Sequence, residues 1–296
     1  MNPALPAWLD TRIYPFENHY VHIDGHTVHY VDEGSGPVLL LLHGNPTWSF
    51  LYRNIIGQLS NQFRCIALDY PGFGLSTAGP GYAFKPEQHS HVVEHFITEL
   101  GLTDIRMMVH DWGGPIGLGV AGRRPDLFHS LIIGNTWAWP AQGIPHVAMF
   151  SRVAGNPLSR LLIRRFNAFV DWLMPAGINR TLTAAEKAAY RGPFPTPKSR
   201  QPIAILPHEI LASRNYLAEV EAGLAKLTDK PVLLLWGNDD IGFRDSERTR
   251  FEATFPRHRT RILFGAKHLI QECDPRAISD EIRAFEDFPI STEEQR

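Results

Sequence analysis

Short runs of Val, Ile and Leu recur along the 296-residue chain and end in Gly, Asp, Asn or His. That is the pattern of strands buried on both faces of a mostly parallel sheet. It predicts strands over residues 38–42, 65–68, 105–109, 131–133, 232–236 and 261–264. Two earlier segments, 20–23 and 28–31, flank Asp24-Gly25, a hairpin signal that predicts an antiparallel start. Helical patterns alternate with the strands. Over residues 86–100, Val92, Val93, Phe96, Ile97 and Leu100 fall at helical spacing, and Gly101 supplies the stop. Strand and helix in alternation predict an α/β fold with a doubly wound sheet, and ligands beyond the C-terminal ends of its strands.

The alternation breaks between Ala138 and Lys226. Strand patterns vanish there, and Leu158, Leu161, Leu162, Phe166, Phe169, Val170 and Leu173 form an apolar stripe at helical spacing that stops before Pro175. A proline-rich stretch and a second helical region around residues 210–224 follow, and the strand pattern resumes at Val232. The expected organisation is a core of residues 1–138 and 227–296 carrying a helical cap, residues 139–226. Residues 291–296 are expected to fray.

Composition narrows the function. A net charge of -2 supplies no field that would hold nucleic acid or an anionic membrane. No apolar segment approaches the roughly 18 residues of a membrane span, and the first residues lack the basic and apolar regions of a signal peptide. Cys65 and Cys273 fit reduced thiols better than a disulfide framework or a metal site, so a cytoplasmic protein without metal or cofactor is expected.

The chemistry gathers at strand ends. Val109-His110-Asp111-Trp112-Gly113-Gly114 closes a strand and opens a helix, the setting of a nucleophile elbow in which a sharp turn lifts one side chain above the sheet. Two positions depart from the G-x-S-x-G form: Val109 stands at the first glycine and Asp111 at the nucleophile. Aspartate is already an anion at neutral pH and can displace a leaving group from an sp³ carbon; a general base is then needed only to hydrolyse the resulting ester. Asp is also a good helix N-cap, which by itself accounts for Asp111. Two more groups follow in the chain order expected of such an elbow. His268, in Gly265-Ala266-Lys267-His268 after the last predicted strand, is the candidate base. Asp240, in Gly237-Asn238-Asp239-Asp240, is the candidate acid that orients it, with Asp239 as the rival that the Gly-x-x-Asp spacing disfavours. The strand ending at Asn135-Thr136-Trp137 offers no carboxylate. His43 and His110 also sit at strand ends, and pairing with backbone near the elbow is expected of them.

His43-Gly44-Asn45-Pro46-Thr47-Trp48 follows the first buried strand, where such a fold draws an oxyanion donor from backbone. The backbone N–H groups of Asn45 and Trp112 are the candidates for that hole. The side chains of the same two residues present a carboxamide and an indole N–H, donors that suit a departing anion needing no proton. With these motifs the sequence resembles the haloalkane dehalogenases of the α/β-hydrolase superfamily. The similarity runs through Tyr14-Pro15-Phe16-Glu17, residues 43–53, Asp69-Tyr70-Pro71-Gly72-Phe73-Gly74, the elbow, Pro207-His208-Glu209-Ile210 and residues 268–274. The resemblance implies hydrolysis of an uncharged haloalkane to alcohol, halide and a proton: Asp111 as nucleophile, His268 as base, Asp240 as acid, and Asn45 with Trp112 holding the halide. It points to the subfamily with an Asp acid and an Asn-Trp pair; the subfamily with a second cap tryptophan would need Trp172 to face the pocket.

Two other functions fit the same residues. An epoxide hydrolase would share the Asp nucleophile and protonate its leaving oxygen with cap tyrosines, here Tyr190 and Tyr216. A non-catalytic ligand-binding scaffold could keep the fold, although it has no reason to keep Asp111, Asp240 and His268 together. Arginines beside the nucleophile, which a fluoroacetate dehalogenase uses for its substrate carboxylate, are replaced by Trp112 and Pro115; a luciferase-like oxygenase on the same scaffold is only weakly excluded. In the cap, Met149, Phe150, Phe166, Phe169 and Leu206 are candidate pocket residues, and Arg160, Arg164 and Arg165 read as a solvated face.

Overall fold

A computed structural model describes residues 5–287; the segment 291–296 expected to fray lies outside them. Eight strands form one sheet in the order β1-β2-β4-β3-β5-β6-β7-β8. The hairpin at Asp24-Gly25 joins β1 (Asn18–Ile23) to β2 (His26–Glu33), with Asp24 and Gly25 both at positive φ. Strand β2 runs antiparallel to β4 (Arg64–Leu68). From β4 onward all neighbours are parallel: β3 (Val38–Leu42), β5 (Ile105–Asp111), β6 (Phe128–Thr136), β7 (Val232–Gly237) and β8 (His258–Leu263). The apolar runs are apolar because these central strands are covered on both faces: every residue of β7 and all but the first of β3 are buried.

Helices α1 (Arg53–Leu59), α2 (Pro86–Glu99) and α3 (Gly113–Arg123) make the first crossovers. Between β6 and β7 the regular structure is all helical, joined by loops: α4 (Pro145–Ala154), α5 (Pro157–Phe166), a π-helical turn Phe169–Leu173, the short α6 (Met174–Ala176), α7 (Ala184–Arg191), α8 (Gln201–Ala212) and α9 (Arg214–Gly223). We call this segment the cap. Helix α10 (Asp245–Thr254) returns the chain to β8, and α11 (Ile270–Cys273) and α12 (Pro275–Asp287) close it, α12 packing on α1.

Two sequence expectations need correction. The last strand is shifted: β8 begins at His258 and Phe264 falls outside it, almost fully exposed. At the sheet edge only one neighbour covers a strand, so polar residues populate it and the apolar run no longer marks its extent. The stripe expected to stop before Pro175 is the second: Asn167, left-handed at φ of 56°, ends α5, and the π-helical turn after it runs on into α6, which contains Pro175. Phe169 and Val170 are buried, while Leu158, Leu161, Leu162, Phe166 and Leu173 are exposed.

A buried ionic network ties cap to core. Arg53 on α1 pairs with Glu272 of α11 and, at 2.6 Å, with Glu186 of α7, while Arg180 binds the same two carboxylates. Tyr190 donates its hydroxyl proton to Glu272. Two cations offset two anions, which is what lets them lie out of water. Arg53→Met keeps the bulk and leaves two buried carboxylates to share the single cation Arg180, so it should lower the unfolding free energy by about 3 kcal/mol, read from urea denaturation. An unchanged midpoint would mean that the network does not hold the cap.

Candidate active site

The candidate residues converge beyond the carboxyl ends of β3, β5, β7 and β8, where a parallel sheet leaves its crevice. Asp111 ends β5 with φ of 50°, a left-handed conformation unusual for a residue with a Cβ. The turn is held on three sides. Thr136 at the end of β6 donates its hydroxyl to the Asp111 carbonyl, the Asn45 N–H donates to Asp111 Oδ1 at 2.7 Å, and α3 starts at once behind. Asn45 can come so near because its neighbour is glycine. A Cβ on Gly44 would sit 2.3 Å from Asp111 Oδ1.

The two carboxylate oxygens therefore differ. Oδ1 is occupied by the Asn45 N–H, and Oδ2 faces His268 Nε2 at 3.7 Å. Burial pushes the Asp111 carboxyl above its ordinary range, against the pull of His268 and of the Asn45 and Trp112 backbone N–H groups.

His268 follows β8, and its Nδ1 donates to Asp240 Oδ2 at 2.9 Å. Its loop passes against the end of β7 at Gly237, where a Cβ would lie 2.6 Å from the Ala266 carbonyl oxygen; this is the physical content of the Gly-x-x-Asp spacing. The loop is held from behind by His110, whose Nε2–H donates to the His268 carbonyl at 2.8 Å, and from the cap by Leu269 N–H on the Gly177 carbonyl. Burial pulls the His268 imidazolium down, but the charge and hydrogen bond of Asp240, with the Asp111 charge behind them, win and raise its pKa to about 9. Asp240 is itself buried, which alone would raise it. The His268 charge and hydrogen bonds from His268, Asn135 Nδ2 (2.7 Å) and Gly242 N–H (2.7 Å) hold it below the usual carboxylate range instead. Asp239, the rival, lines the cavity without bonding His268 among the described residues.

Above these groups lies a cavity of about 570 Å³ between core and cap. Asp111, His268, Asn45 and Trp112 meet it from the core, and Phe150 and Phe169 from the cap. Three expected pocket residues stay out: Met149 and Phe166 are exposed, and Leu206 is buried in packing. Trp172 is also exposed and does not line the cavity. Trp112 packs edge-on against Trp137, which stacks on Phe243, which in turn lies over His268. Asn45 holds the Ile203 carbonyl only at 3.4 Å, and its Oδ1 has no partner among the described residues.

The tyrosines that an epoxide opening would need are elsewhere. Tyr190 is committed to Glu272, Tyr216 donates to the Pro115 carbonyl at 2.7 Å, and neither lines the cavity. His43 and His110 pair with backbone as expected, His43 bridging the Gly44 carbonyl and the Tyr70 N–H. Sequence reasoning passed over Asn135, noting only that its strand lacked a carboxylate. In the fold it donates to Asp240 and accepts from Gly237 N–H, bridging β6 to the loop that carries Asp240. Its signal was its position, the end of the strand beside β7.

A match to the alpha/beta hydrolase fold family spans residues 37–275. The chain is 44% identical over 272 residues to haloalkane dehalogenase 2 of Mycobacterium tuberculosis, covering 91% of this chain and 95% of that one. The chain belongs to the haloalkane dehalogenase family. A more distant relative is the cis-3-alkyl-4-alkyloxetan-2-one decarboxylase of Shewanella oneidensis, 30% identical over 94% of this chain and 90% of its own. Among solved structures, a putative ancestral haloalkane dehalogenase superposes with a TM-score of 0.83 at 31% identity, over 90% of this chain and 97% of that one. No helix among the described residues is long and apolar enough to cross a membrane, and none of their His, Cys, Asp and Glu side chains cluster in threes to hold a metal.

The two carboxylates on either side of His268 carry a sign that can be measured. Asp240→Asn removes the larger charge and leaves burial to dominate, so the imidazolium should lose its proton at a lower pH than the parent's value of about 9. Imidazole NMR across a pH series reads the change; an unaltered midpoint would mean that Asp240 does not govern this histidine.

Proposed function

We propose that the protein hydrolyses haloalkanes by two displacements at Asp111. The observation that carries the reading is the inequality of the two Asp111 oxygens. Oδ2 is free to attack the halogen-bearing carbon; its lone pair forms the C–O bond while the carbon–halogen pair leaves with the halide. Oδ1, already against the Asn45 N–H, becomes the ester carbonyl oxygen, so the donor that orients the nucleophile is in place for the oxyanion of the next step. The side chains of Asn45 and Trp112 stabilise the halide, which departs as an anion and asks for donors in a dry pocket.

Water then attacks Cγ of the ester. It gives one proton to His268, adds hydroxide to Cγ, and pushes negative charge onto Oδ1; collapse breaks the Cγ–Oδ2 bond, the leaving alkoxide takes the proton back from His268 to become the alcohol, and the acid left on Asp111 releases the second proton to solvent. Asp240 holds the histidine tautomer throughout. An imidazole with a pKa of about 9 is protonated at neutral pH and is no base, but one of the charges holding that proton is Asp111 itself. Alkylation turns that carboxylate into a neutral ester. The proton is then held less firmly, with the Asp240 charge and hydrogen bond still in place, and the pH sets how much of His268 is neutral and able to act as base.

A second reading, opening of an oxetanone, is supported only by the decarboxylase relative at 30% identity, against 44% for the dehalogenase. The epoxide reading loses support with Tyr190 and Tyr216 committed elsewhere.

Purified protein should release bromide from a short bromoalkane and give no diol from styrene oxide or carbon dioxide from a dialkyl oxetanone; products in the reverse pattern would refute the assignment. His268→Phe should accumulate the ester, seen as the added alkyl mass on the Asp111 peptide. Trp112→Phe keeps the packing and removes one donor to an anion, so kcat/KM should fall about 10- to 100-fold. In the parent enzyme the hydrolysis step, followed in single turnover, should accelerate as pH rises, because only neutral His268 accepts a proton. A rate that falls with pH would contradict its role as base.

A further inference from the structure

Helix α5 buries one side chain of its ten, Ile163. Short helices in water owe their stability to the packing of an apolar face, and the apolar face of α5 has no cover among the described residues. Leu158, Leu161, Leu162 and Phe166, spaced i, i+3, i+4 and i+8, form one stripe, with Leu158 65% and Leu161 60% exposed. Met149 and Val153 of α4 and Trp172 of the π-helical turn are exposed as well, Trp172 at 71%. The helix is nonetheless fixed in place. Asn156 caps it, and the Arg200 guanidinium donates to the carbonyls of Arg164 and Arg165 at its C-terminal end.

We infer that two copies of this chain associate through α4, α5 and the π-helical turn of their caps. At roughly 200 Å² for a large side chain, the exposed fractions of these seven apolar residues amount to about 800 Å² per copy, matching the ~800 Å² per partner of a stable interface. A monomer seldom leaves so large an apolar surface uncovered. The composition is that of a protein interface: Met, Leu, Phe and Trp at the centre, Arg152, Arg160, Arg164 and Arg165 among them, and no lysine between residues 145 and 176. The single acid of that segment, Asp171, is paired with Arg191 at 3.4 Å. A continuous apolar stripe is self-complementary, as a two-fold interface requires. Phe150 and Leu173, half-exposed on this face, also line the catalytic cavity, so association covers part of its rim.

Sedimentation velocity of the full chain, from low micromolar to the hundred-micromolar range, tests the inference. The parent should sediment as a dimer. Leu158→Glu with Leu161→Glu should weaken dimerisation by about a hundredfold or more, with circular dichroism to verify folding, and the milder Leu161→Ala by about fivefold. A monomer at every concentration would overturn the inference, as would a dimer that neither variant weakens. A monomer that instead cosediments with phosphatidylglycerol vesicles would assign the face to lipid and overturn it equally.

Discussion

The site depends on one contact, the Asn45 N–H on Asp111 Oδ1. It requires the chain after β3 to pass within hydrogen-bond distance of a side chain that itself ends β5 in a left-handed turn. Because β3 and β5 are neighbours in the parallel sheet, the two turns leave the same edge side by side. Gly44 removes the one Cβ that would collide with the carboxylate. Backbone strain at a single residue, of order 1–3 kcal/mol, is held there by the packed sheet beneath it. The result is a carboxylate with one oxygen engaged and one available.

The electrostatics follow from that placement. Three ionisable groups, Asp111, His268 and Asp240, are gathered where burial disfavours every charge; neighbours overcome burial at His268 and Asp240, while at Asp111 burial prevails and raises the carboxyl. A site so coupled changes its protonation when one member is neutralised. In the proposed mechanism esterification of Asp111 removes one of the two charges that hold the His268 proton, which favours the neutral base in the second step. The cap contributes the dry volume above. Its ionic anchor to α1 and α11 runs through Glu272, four residues from His268, which links cap position to the loop that carries His268.

Much of this was legible in the sequence because strand ends are punctuated. Asp111, His268 and Asp240 each close an apolar run, and Gly237 separates Asp240 from Asp239 by geometry that a spacing can record. Lateral relations were not legible. Asn135 reaches Asp240 across the β6–β7 pairing, 105 residues away along the chain, and nothing local marks it. Tyr190 and Tyr216 looked available because a sequence does not display competing partners; a buried hydroxyl takes the nearest acceptor, here Glu272 and the Pro115 carbonyl. Helical periodicity likewise revealed an apolar stripe at Leu158, Leu161 and Phe166 without saying what covers it. On the edge strand β8, partial exposure put four consecutive polar residues, His258 to Arg261, where an apolar run would stand, and displaced its apparent start.

The central claim is that product oxygen comes from Asp111 Oδ2 and that water replaces it through Cγ. A single turnover with enzyme in excess, run in water enriched in oxygen-18 with a bromoalkane, tests this directly. The account predicts an alcohol carrying ordinary oxygen and an Asp111 peptide heavier by one oxygen-18 substitution. Label in the alcohol with none in the peptide would mean that water attacks the substrate carbon itself, and the account would be wrong.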